Sequence, residues 1–159
     1  MTAKKILSLK ELRKKIEKLK KQKKRIAFTN GCFDVIHSGH VRGMEKAAAL
    51  ADVLVVAINT DRSTRRLKGK NRPIFPLKER AKVLSAFEFV DFLVSFDELT
   101  PLKVIRALKP DILVKGGDYQ KREIVGSQFV KSCGGRVKRI PIYKNYSSSR
   151  IIKEMSKRR

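Results

Sequence analysis

Two histidines and a glycine lie in one short segment that begins a predicted helix. His37 and His40 are the two histidines of the chain, and Gly39 lies between them. A helix N-terminus carries unpaired backbone N–H groups and a partial positive charge. Imidazoles three residues apart lie on one helix face and can both donate hydrogen bonds to phosphate oxygens. The spacing therefore predicts a phosphate site with His37 and His40 as candidate catalytic residues.

A zinc site is the alternative interpretation of the same two histidines. Zinc needs a third and a fourth ligand, and only Cys32 or Asp34 stands near enough in the sequence to supply one. The two cysteines, Cys32 and Cys133, have no paired metal-binding spacing and are expected to be reduced thiols. We therefore expect no metal-ligating residues in this segment.

Two further segments place small residues beside predicted elements. Lys115-Gly116-Gly117-Asp118 follows a predicted strand, and paired glycines allow a ligand to approach the backbone closely, although a plain turn is the alternative. Ser147, Ser148 and Ser149 precede the last predicted helix. Serine commonly caps a helix at this position, and the same geometry binds phosphate. Both segments are candidate nucleotide contacts.

The elements that must position these residues follow from hydrophobic periodicity. Short β-rich runs alternate with helical patterns from residue 26 onward, which is typical of a parallel sheet covered by helices on both faces. We predict an α/β, doubly wound, parallel five-stranded sheet that binds its ligand beyond the carboxyl ends of the strands. The predicted strands are 26–30, 52–58, 89–95, 111–115 and 136–141, and the predicted helices are 38–50, 77–87, 100–108, 121–132 and one after residue 147.

Two segments fall outside this alternation. Ser8 and Glu11 form a capping-box pattern, after which apolar residues recur at helical spacing among lysines over 8–24. We expect this extra N-terminal helix, within a basic segment 1–24, to pack on the following domain 25–159 or on a partner subunit. A membrane or phosphate surface is the alternative. The basic segment 62–75 is expected to be a mobile loop.

Composition and charge limit the class of protein. A chain of 159 residues, 42% apolar and 34% charged, predicts one soluble globular domain. Its net charge of +24, concentrated at the termini, attracts nucleic acid, anionic lipid and nucleoside triphosphates without choosing among them. We expect no membrane span, because the apolar runs are too short. No secretory signal is recognisable, so a cytoplasmic location is expected.

Three segments carry a resemblance to a known family. They are FTNGCFD at 28–34, HSGH at 37–40 and YSSSRI at 146–151. Together they resemble the cytidylyltransferase-like nucleotidyltransferase superfamily, in which an HxGH motif and a Ser/Thr-rich motif at a helix start clasp a nucleoside triphosphate. The stretches RLKGKNRPIFPLKER and DILVKGGDY are most similar to the adenylyltransferases that make ADP-heptose, a lipopolysaccharide precursor, from heptose 1-phosphate.

The resemblance implies a Rossmann-like fold and a reaction in which AMP passes from ATP to a sugar 1-phosphate, with Mg²⁺ accompanying ATP. It also implies a homodimer, because the superfamily commonly forms dimers. The implied catalytic residues are His37, His40 and Lys68, with Lys70 or Arg72 in support. The implied nucleotide contacts are Asn30, Gly31, Cys32, Phe33, His37, Gly39, His40, Lys115, Gly116, Asp118, Ser147, Ser148 and Ser149. The implied substrate contacts are Asp34, Asn59, Asp61 and Arg80.

Plain structural roles are the alternatives for several of these residues. Asn59 and Asp61 can cap the next helix instead of binding a sugar, and Lys68 can be a solvated surface lysine.

Two other functions remain open. One is a cytidylyltransferase acting on glycerol 3-phosphate or another alcohol phosphate. It ranks second because Ile142 stands near the position where related cytidylyltransferases carry an arginine. The other is a nucleic-acid-binding module, which the basic helix favours, although the chain lacks evenly placed aromatics for stacking on bases. A classical kinase is excluded because no GxxxxGK[ST] phosphate loop occurs.

Overall fold

Near-continuous apolar runs become the strands of one parallel sheet. The structure, a computed structural model, describes residues 5–117, 124–141 and 147–157, and five strands within them form a single sheet. Every residue of the second strand is buried, as a strand with helices on both faces requires. The strands are β1 (Ile26–Gly31), β2 (Val53–Asn59), β3 (Phe92–Phe96), β4 (Ile112–Gly116) and β5 (Arg136–Ile140).

The strand order is β3-β2-β1-β4-β5, and all four pairings are parallel. The chain steps outward from β1 to β3 and then returns to place β4 on the other side of β1. The order therefore reverses between β1 and β4, and a crevice opens beyond their carboxyl ends. This confirms the predicted doubly wound five-stranded sheet and places the switch point at Gly31 and Gly116.

Helices cover both faces of the sheet and bury its alternating side chains. Val55 of β2 belongs to one core cluster, together with Leu12 and Ile105. Val56 belongs to a second cluster on the opposite face, together with Met44 and Leu84. The helices of the described residues are α1 (Leu9–Lys21), α2 (Ser38–Ala48), α3 (Asp61–Lys68), α4 (Leu77–Ser85), α5 (Leu102–Leu108), α6 (Ser127–Ser132) and α7 (Ser148–Lys157).

The prediction of a mobile loop over 62–75 is wrong for the first half of that segment. The segment 62–75 begins within α3, which the periodicity did not reveal because Leu67 is its one large apolar residue. Polar groups stabilise this helix instead. The Ser63 N–H donates to the Thr60 hydroxyl, and Asp61 places a negative charge in the first turn. Lys68 therefore ends a helix rather than lying on a loop.

Two elements also begin three or more residues later than predicted. Strand β3 begins at Phe92 rather than at residue 89, because Phe87 and Phe89 stack on each other, and the Val90 N–H bonds back to Phe87 in a turn. Helix α6 begins at Ser127, later than the predicted start at 121. Residues 118–123 lie outside the described residues.

Helix α1 packs on the domain that follows it, which confirms one of the two packing partners that the sequence analysis expected. The capping box of Ser8 and Glu11 is present, and Leu12 and Ile16 are buried in the same core cluster as α5. Because α1 shares the main core, its apolar stripe is already covered. That residues 25–159 form a domain separate from the N-terminal segment stays a prediction. Among the described residues, no helix combines the length and apolarity needed to cross a bilayer.

Candidate functional site

A cavity of about 370 Å³ lies at the switch point, where the chain leaves β1 and β4. It brings together most of the residues that the sequence singled out, from four separate segments. Most of them lie at or just after the carboxyl end of β1 or β4, or at the start of α2 or α7, whereas Lys68 and Arg72 lie at and after the end of α3. The predicted residues that line it are Asn30, Gly31, Cys32, Phe33, Asp34, His37, Gly39, His40, Lys68, Arg72, Lys115, Gly116, Ser147, Ser148 and Ser149.

The two imidazoles begin helix α2 and are held by its backbone. His37 is the N-cap residue, and its Nδ1 accepts a hydrogen bond from the Gly39 N–H at 3.1 Å. His40 Nδ1 accepts from the His37 N–H at 3.4 Å. A neutral imidazole that accepts at Nδ1 carries its proton on Nε2. The backbone of the helix start therefore makes Nε2–H the donor of both side chains.

Burial keeps both imidazoles neutral. It lowers the pKa of His37 below its usual value. It lowers the pKa of His40 to about 4, and the neighbouring His37 adds to this effect. The ring centroids are 3.9 Å apart, so a second positive charge would be repelled by the first. At neutral pH, the pair offers hydrogen-bond donors rather than fixed charges.

The turn between β1 and α2 is tightly built around an aromatic ring. Phe33 is buried with a φ of 49°, a left-handed conformation that is uncommon for a residue with a side chain. Its ring meets His40 edge to face at 5.4 Å between centroids. A Cβ on Gly31 would lie 3.2 Å from the Phe33 ring, and one on Gly39 would lie 2.9 Å from His37 Cε1. A side chain at Gly31 would crowd the Phe33 ring, and one at Gly39 would require the His37 ring to shift.

Two lysines line the cavity, and neither has an acidic partner among the described residues. Lys115 extends from β4 and donates to Asn30 Oδ1 at 3.1 Å, and Lys68 ends α3 on the opposite wall. Burial lowers the pKa of Lys115, the nearby Cys32 thiol opposes this, and the positive charge of Lys68 lowers it further. The ion pairs of the described residues include neither lysine. Two neighbouring cations that pair with none of the described carboxylates form a place for an anion.

Asp34 holds the segment after α3 rather than pointing freely at a ligand. Its buried carboxylate pairs with Arg72 and accepts from the N–H groups of Ile74 at 2.7 Å and Phe75 at 3.0 Å. Burial alone would raise its pKa, but these donors outweigh burial and hold the pKa of Asp34 below its usual value. Substrate contact by Asp34 stays a prediction. Arg72 lines the cavity, whereas Lys70 lines none of the cavities described here.

Arg80 lies under the site and is used internally. The residue is 1% exposed, and its guanidinium donates to the carbonyls of Phe75, Cys32 and Asn59 and to the Asp61 carboxylate. These bonds join the turn after β1, the end of β2 and the start of α3. The geometry gives Arg80 a positioning role, and its predicted contact with substrate is untested.

Asn59 and Asp61 are also engaged at the start of α3. Asn59 Nδ2 donates to Ser63 Oγ at 2.9 Å, and Asp61 accepts from the Leu77 N–H at 2.8 Å. Neither bond is the predicted cap of the next helix, because Thr60 is the N-cap residue of α3 and its hydroxyl accepts from the Ser63 N–H. Asn59 reaches a neighbouring cavity, whereas Asp61 lines none of the cavities described.

The serine segment closes the cavity from the far side of the sheet. Ser147 Oγ accepts from the Arg150 N–H at 3.2 Å, which confirms the predicted cap of the last helix. Ser148 Oγ donates to the Val35 carbonyl at 2.7 Å and so ties α7 to the turn before the histidines. Phosphate binding by the serines stays a prediction. Asp118, Ile142 and Tyr146 lie outside the described residues.

A second cavity of about 430 Å³ adjoins the first. The two share Asn30, Gly31, Cys32, Lys68 and Lys115, so the lysine pair stands at their boundary. The residues that line the second cavity but not the first are Asn59, Leu67, Leu99, Thr100, Pro101, Ile124 and Val125. Most of these were missed by sequence reasoning, because single apolar residues at loop and helix ends carry no motif.

The zinc alternative finds no support in the described part of the chain, which contains no group of three or more His, Cys, Asp or Glu side chains placed to hold a metal. Cys32 lies in the cavity wall, but Asp34 is occupied by Arg72 and two backbone donors. The two histidines use Nδ1 for the helix start. The pair is therefore arranged as a hydrogen-bonding unit.

Comparisons with known proteins agree with the family resemblance seen in the sequence. The cytidylyltransferase-like family model matches residues 28–154. The bifunctional protein HldE of Citrifermentans bemidjiense is 53% identical over 132 residues, which are 83% of this chain and 27% of that protein. HldE of Koribacter versatilis is 47% identical over 150 residues, 94% of this chain and 31% of that protein. The chain thus spans about three tenths of the length of these relatives.

Solved structures share the fold. A lipopolysaccharide core biosynthesis protein from Thermoplasma volcanium is 31% identical with a TM-score of 0.62, and the match covers 78% of this chain and 99% of that one. The pantoate-beta-alanine ligase of Francisella tularensis has a TM-score of 0.64 at 17% identity, covering 95% and 76%, and shows the fold alone. With the HSGH segment at the switch point and a family model that matches most of its length, the chain belongs to the cytidylyltransferase-like family.

Proposed function

We propose that the protein is a nucleotidyltransferase that transfers AMP from ATP to heptose 1-phosphate, giving ADP-heptose and pyrophosphate. Identity of about one half with two HldE proteins over most of the chain supports this assignment. The lipopolysaccharide core role named for the Thermoplasma volcanium protein agrees with it. The sequence stretches that resemble heptose 1-phosphate adenylyltransferases lie in the segments that build the two cavities.

The observation that carries the proposal is the lysine pair between two adjoining cavities. Lys68 and Lys115 line both cavities, while His37 and His40 line only the first. A triphosphate in the first cavity would meet the imidazole donors at the N-terminus of α2. A phosphorylated acceptor in the second would bring its anion to the same lysines. This is the arrangement that a transfer between two phosphate groups requires.

The reaction needs positioning and charge stabilisation rather than a base. An oxygen of the acceptor phosphate, already ionised at neutral pH, forms a bond to the α-phosphorus. The bond from that phosphorus to the bridging oxygen breaks, and pyrophosphate leaves with the electron pair. The Nε2–H groups of His37 and His40 would donate to phosphate oxygens as charge develops, and Lys68 and Lys115 would hold the two anions together against their repulsion.

Magnesium fits this site as a companion of the triphosphate. Asp34 is the one carboxylate among the described residues that line the first cavity, and it is already bonded to Arg72 and two N–H groups. A magnesium ion would therefore take its ligands from phosphate oxygens and water, and it would neutralise charge on the leaving pyrophosphate. A homodimer and a cytoplasmic location remain predictions, the first testable by light scattering on the purified protein.

The test is pyrophosphate release by the purified protein with magnesium. ATP and CTP are each paired with heptose 1-phosphate and with glycerol 3-phosphate. Release with ATP and heptose 1-phosphate is the expected result. Release only with CTP would retain the mechanism and favour the cytidylyltransferase alternative. Absence of release with all four pairs would contradict an enzymatic role with these substrates.

Nucleic-acid binding is the second candidate, favoured by the basic surface of α1. Lys10, Lys14 and Lys18 are exposed along this helix. Removal of residues 1–24 would not separate the two functions, because it would also remove the buried Leu12 and Ile16. Changing the three lysines together to glutamate is the better test. The enzymatic function predicts unchanged turnover, whereas a binding module predicts loss of oligonucleotide affinity as its main defect.

A further inference from the structure

The second cavity is lined by both polar and apolar side chains. Beside the lysine pair, the buried Asn59 and the exposed Thr100 contribute polar groups. Three aliphatic side chains stand at the rim, Leu67 at 46%, Leu99 at 47% and Val125 at 43% exposure. They are three of eight large apolar residues of the described chain that remain exposed. Scattered exposed apolar residues are ordinary, but several around one cavity mark a surface that contacts a ligand.

The rim is held in place by the fold. The Ser63 hydroxyl of α3 donates to the Glu98 carbonyl at 2.9 Å, and the Thr60 N–H donates to the Phe96 carbonyl at 2.9 Å. These bonds attach the segment that carries Leu99 to the helix that carries Leu67.

The third rim residue is fixed by a glycine turn. Val125 precedes Gly126, which has a φ of 86° and would place a Cβ 2.8 Å from Ile105 Cδ1. The turn is therefore packed directly against α5. The backbone segments that carry the three apolar side chains are thus attached to the fold by hydrogen bonds and packing.

We infer that Leu67, Leu99 and Val125 are specificity-determining residues for the acceptor, and that they contact the carbon face of a ring-sized sugar phosphate. This inference rests on the proposed function. The acceptor phosphate lies between Lys68 and Lys115, and the sugar extends into the second cavity. Its hydroxyl groups meet Asn59 and Thr100, while its C–H groups pack on the three apolar rim residues. A three-carbon alcohol phosphate has no ring face to pack there.

The experiment uses full-length variants that change polarity with little change in shape. Val125→Thr and Leu99→Asn are compared with Val83→Thr, a matched control on α4 at 48% exposure that lines none of the described cavities. Steady-state pyrophosphate release gives KM for heptose 1-phosphate and for ATP separately. Each rim variant is expected to raise the acceptor KM about tenfold. The KM for ATP, the unfolding temperature and the control variant should be unchanged.

The outcomes separate this inference from the proposed function. If the wild-type protein is active and both rim variants keep its acceptor KM, the inference about the rim is wrong and the function stands. An equal rise of both KM values would show general distortion of the site and would also overturn the inference. If wild-type protein releases no pyrophosphate from ATP and heptose 1-phosphate, the proposed function is wrong. The inference about the rim then fails with it, because it rests on that acceptor.

Discussion

At the scale of single residues, the helix start that holds the histidines also decides which of their atoms can act. The N–H groups of Gly39 and His37 occupy Nδ1 of His37 and His40, respectively. The donor that remains available is then Nε2–H on both rings, and burial keeps the rings neutral at pH 7. A side chain that preserves the acceptor but lacks the distal N–H should therefore separate folding from catalysis.

Asparagine is such a side chain, because its Oδ1 can replace Nδ1 as acceptor and it is a good N-cap residue. His37→Asn and His40→Asn are expected to fold with an unfolding temperature near that of the wild type. Each should lower kcat about 10²- to 10³-fold, as loss of one donor to a developing charge does. Pyrophosphate release and thermal unfolding provide the measurements. A kcat within a few-fold of the wild-type value would show that the imidazoles do not act on phosphate.

Gly39 offers a second residue-scale prediction. A Cβ at this position would lie 2.9 Å from Cε1 and 3.0 Å from Nδ1 of His37. Gly39→Ala should displace the imidazole, remove the helix cap and lower kcat nearly as far as His37→Asn does. Loss of the cap should also destabilise the fold by about 1 kcal/mol.

The matched control for stability is Gly43→Ala in the same helix, where a Cβ meets nothing within 4 Å. Alanine is favoured over glycine in a helix by about 1 kcal/mol, so this variant should unfold at a higher temperature. Urea titration measures both changes. Equal stabilisation by the two alanines would mean that the His37 ring does not rest on Gly39.

At the scale of elements, the site depends on a segment that is neither helix nor strand. Residues 69–76 connect α3 to α4, and this connection is held by carboxylates and a buried arginine. Asp34, which follows β1, accepts hydrogen bonds from the N–H groups of this connection. Arg80 donates to a carbonyl of the same connection and to the carbonyls of Cys32 and Asn59. The network therefore couples the turn before the histidines to the helix that carries Lys68.

Removal of the Asp34 carboxylate tests this coupling. In Asp34→Ala, the N–H groups of Ile74 and Phe75 lose their acceptor, and Arg72 loses its partner. Hydrogen exchange at these two amides should accelerate by about 10- to 100-fold, since hydrogen bonds to a charged group contribute about 1.5–3 kcal/mol. The Leu54 amide, which donates to Asp91 at 2.7 Å, is the internal control. Unchanged exchange at Ile74 and Phe75 would show that the segment is held by other contacts.

At the scale of the whole molecule, the excess of positive charge acts on stability and on encounter with anions. The net charge is +24, and the protein repels itself in the folded state. Added salt screens this repulsion, because the Debye length falls from about 30 Å at 0.01 M to about 10 Å at 0.1 M. The same screening weakens long-range attraction of a triphosphate.

We therefore expect the unfolding temperature to rise by about 3 °C or more between low salt and 0.3 M NaCl, which corresponds to about 1 kcal/mol for a chain of this size. Differential scanning calorimetry across a salt series measures the shift. The variant with Lys10, Lys14 and Lys18 changed to glutamate carries a smaller net charge and should show a smaller rise. A flat salt dependence in both proteins would mean that surface ion pairs already offset the repulsion.

The sequence by itself determined the order of the strands along the chain and the helix start that carries the HSGH segment. Buried parallel strands require continuous apolar runs, and a helix start that binds phosphate requires a local motif such as HSGH, so both leave a signal within a few neighbouring residues. Helix α3 leaves no such signal and was missed, because its stability comes from Thr60 and Asp61 rather than from apolar residues at helical spacing.

Only the tertiary structure decided which distant residues share a wall. Asp34 and Ile74 are forty residues apart, and Lys68 and Lys115 come from different elements. The rim of Leu67, Leu99 and Val125 likewise has no local pattern. Such contacts arise where strands paired in the sheet end at one edge, and strand order is set by packing across the whole core rather than by neighbouring residues.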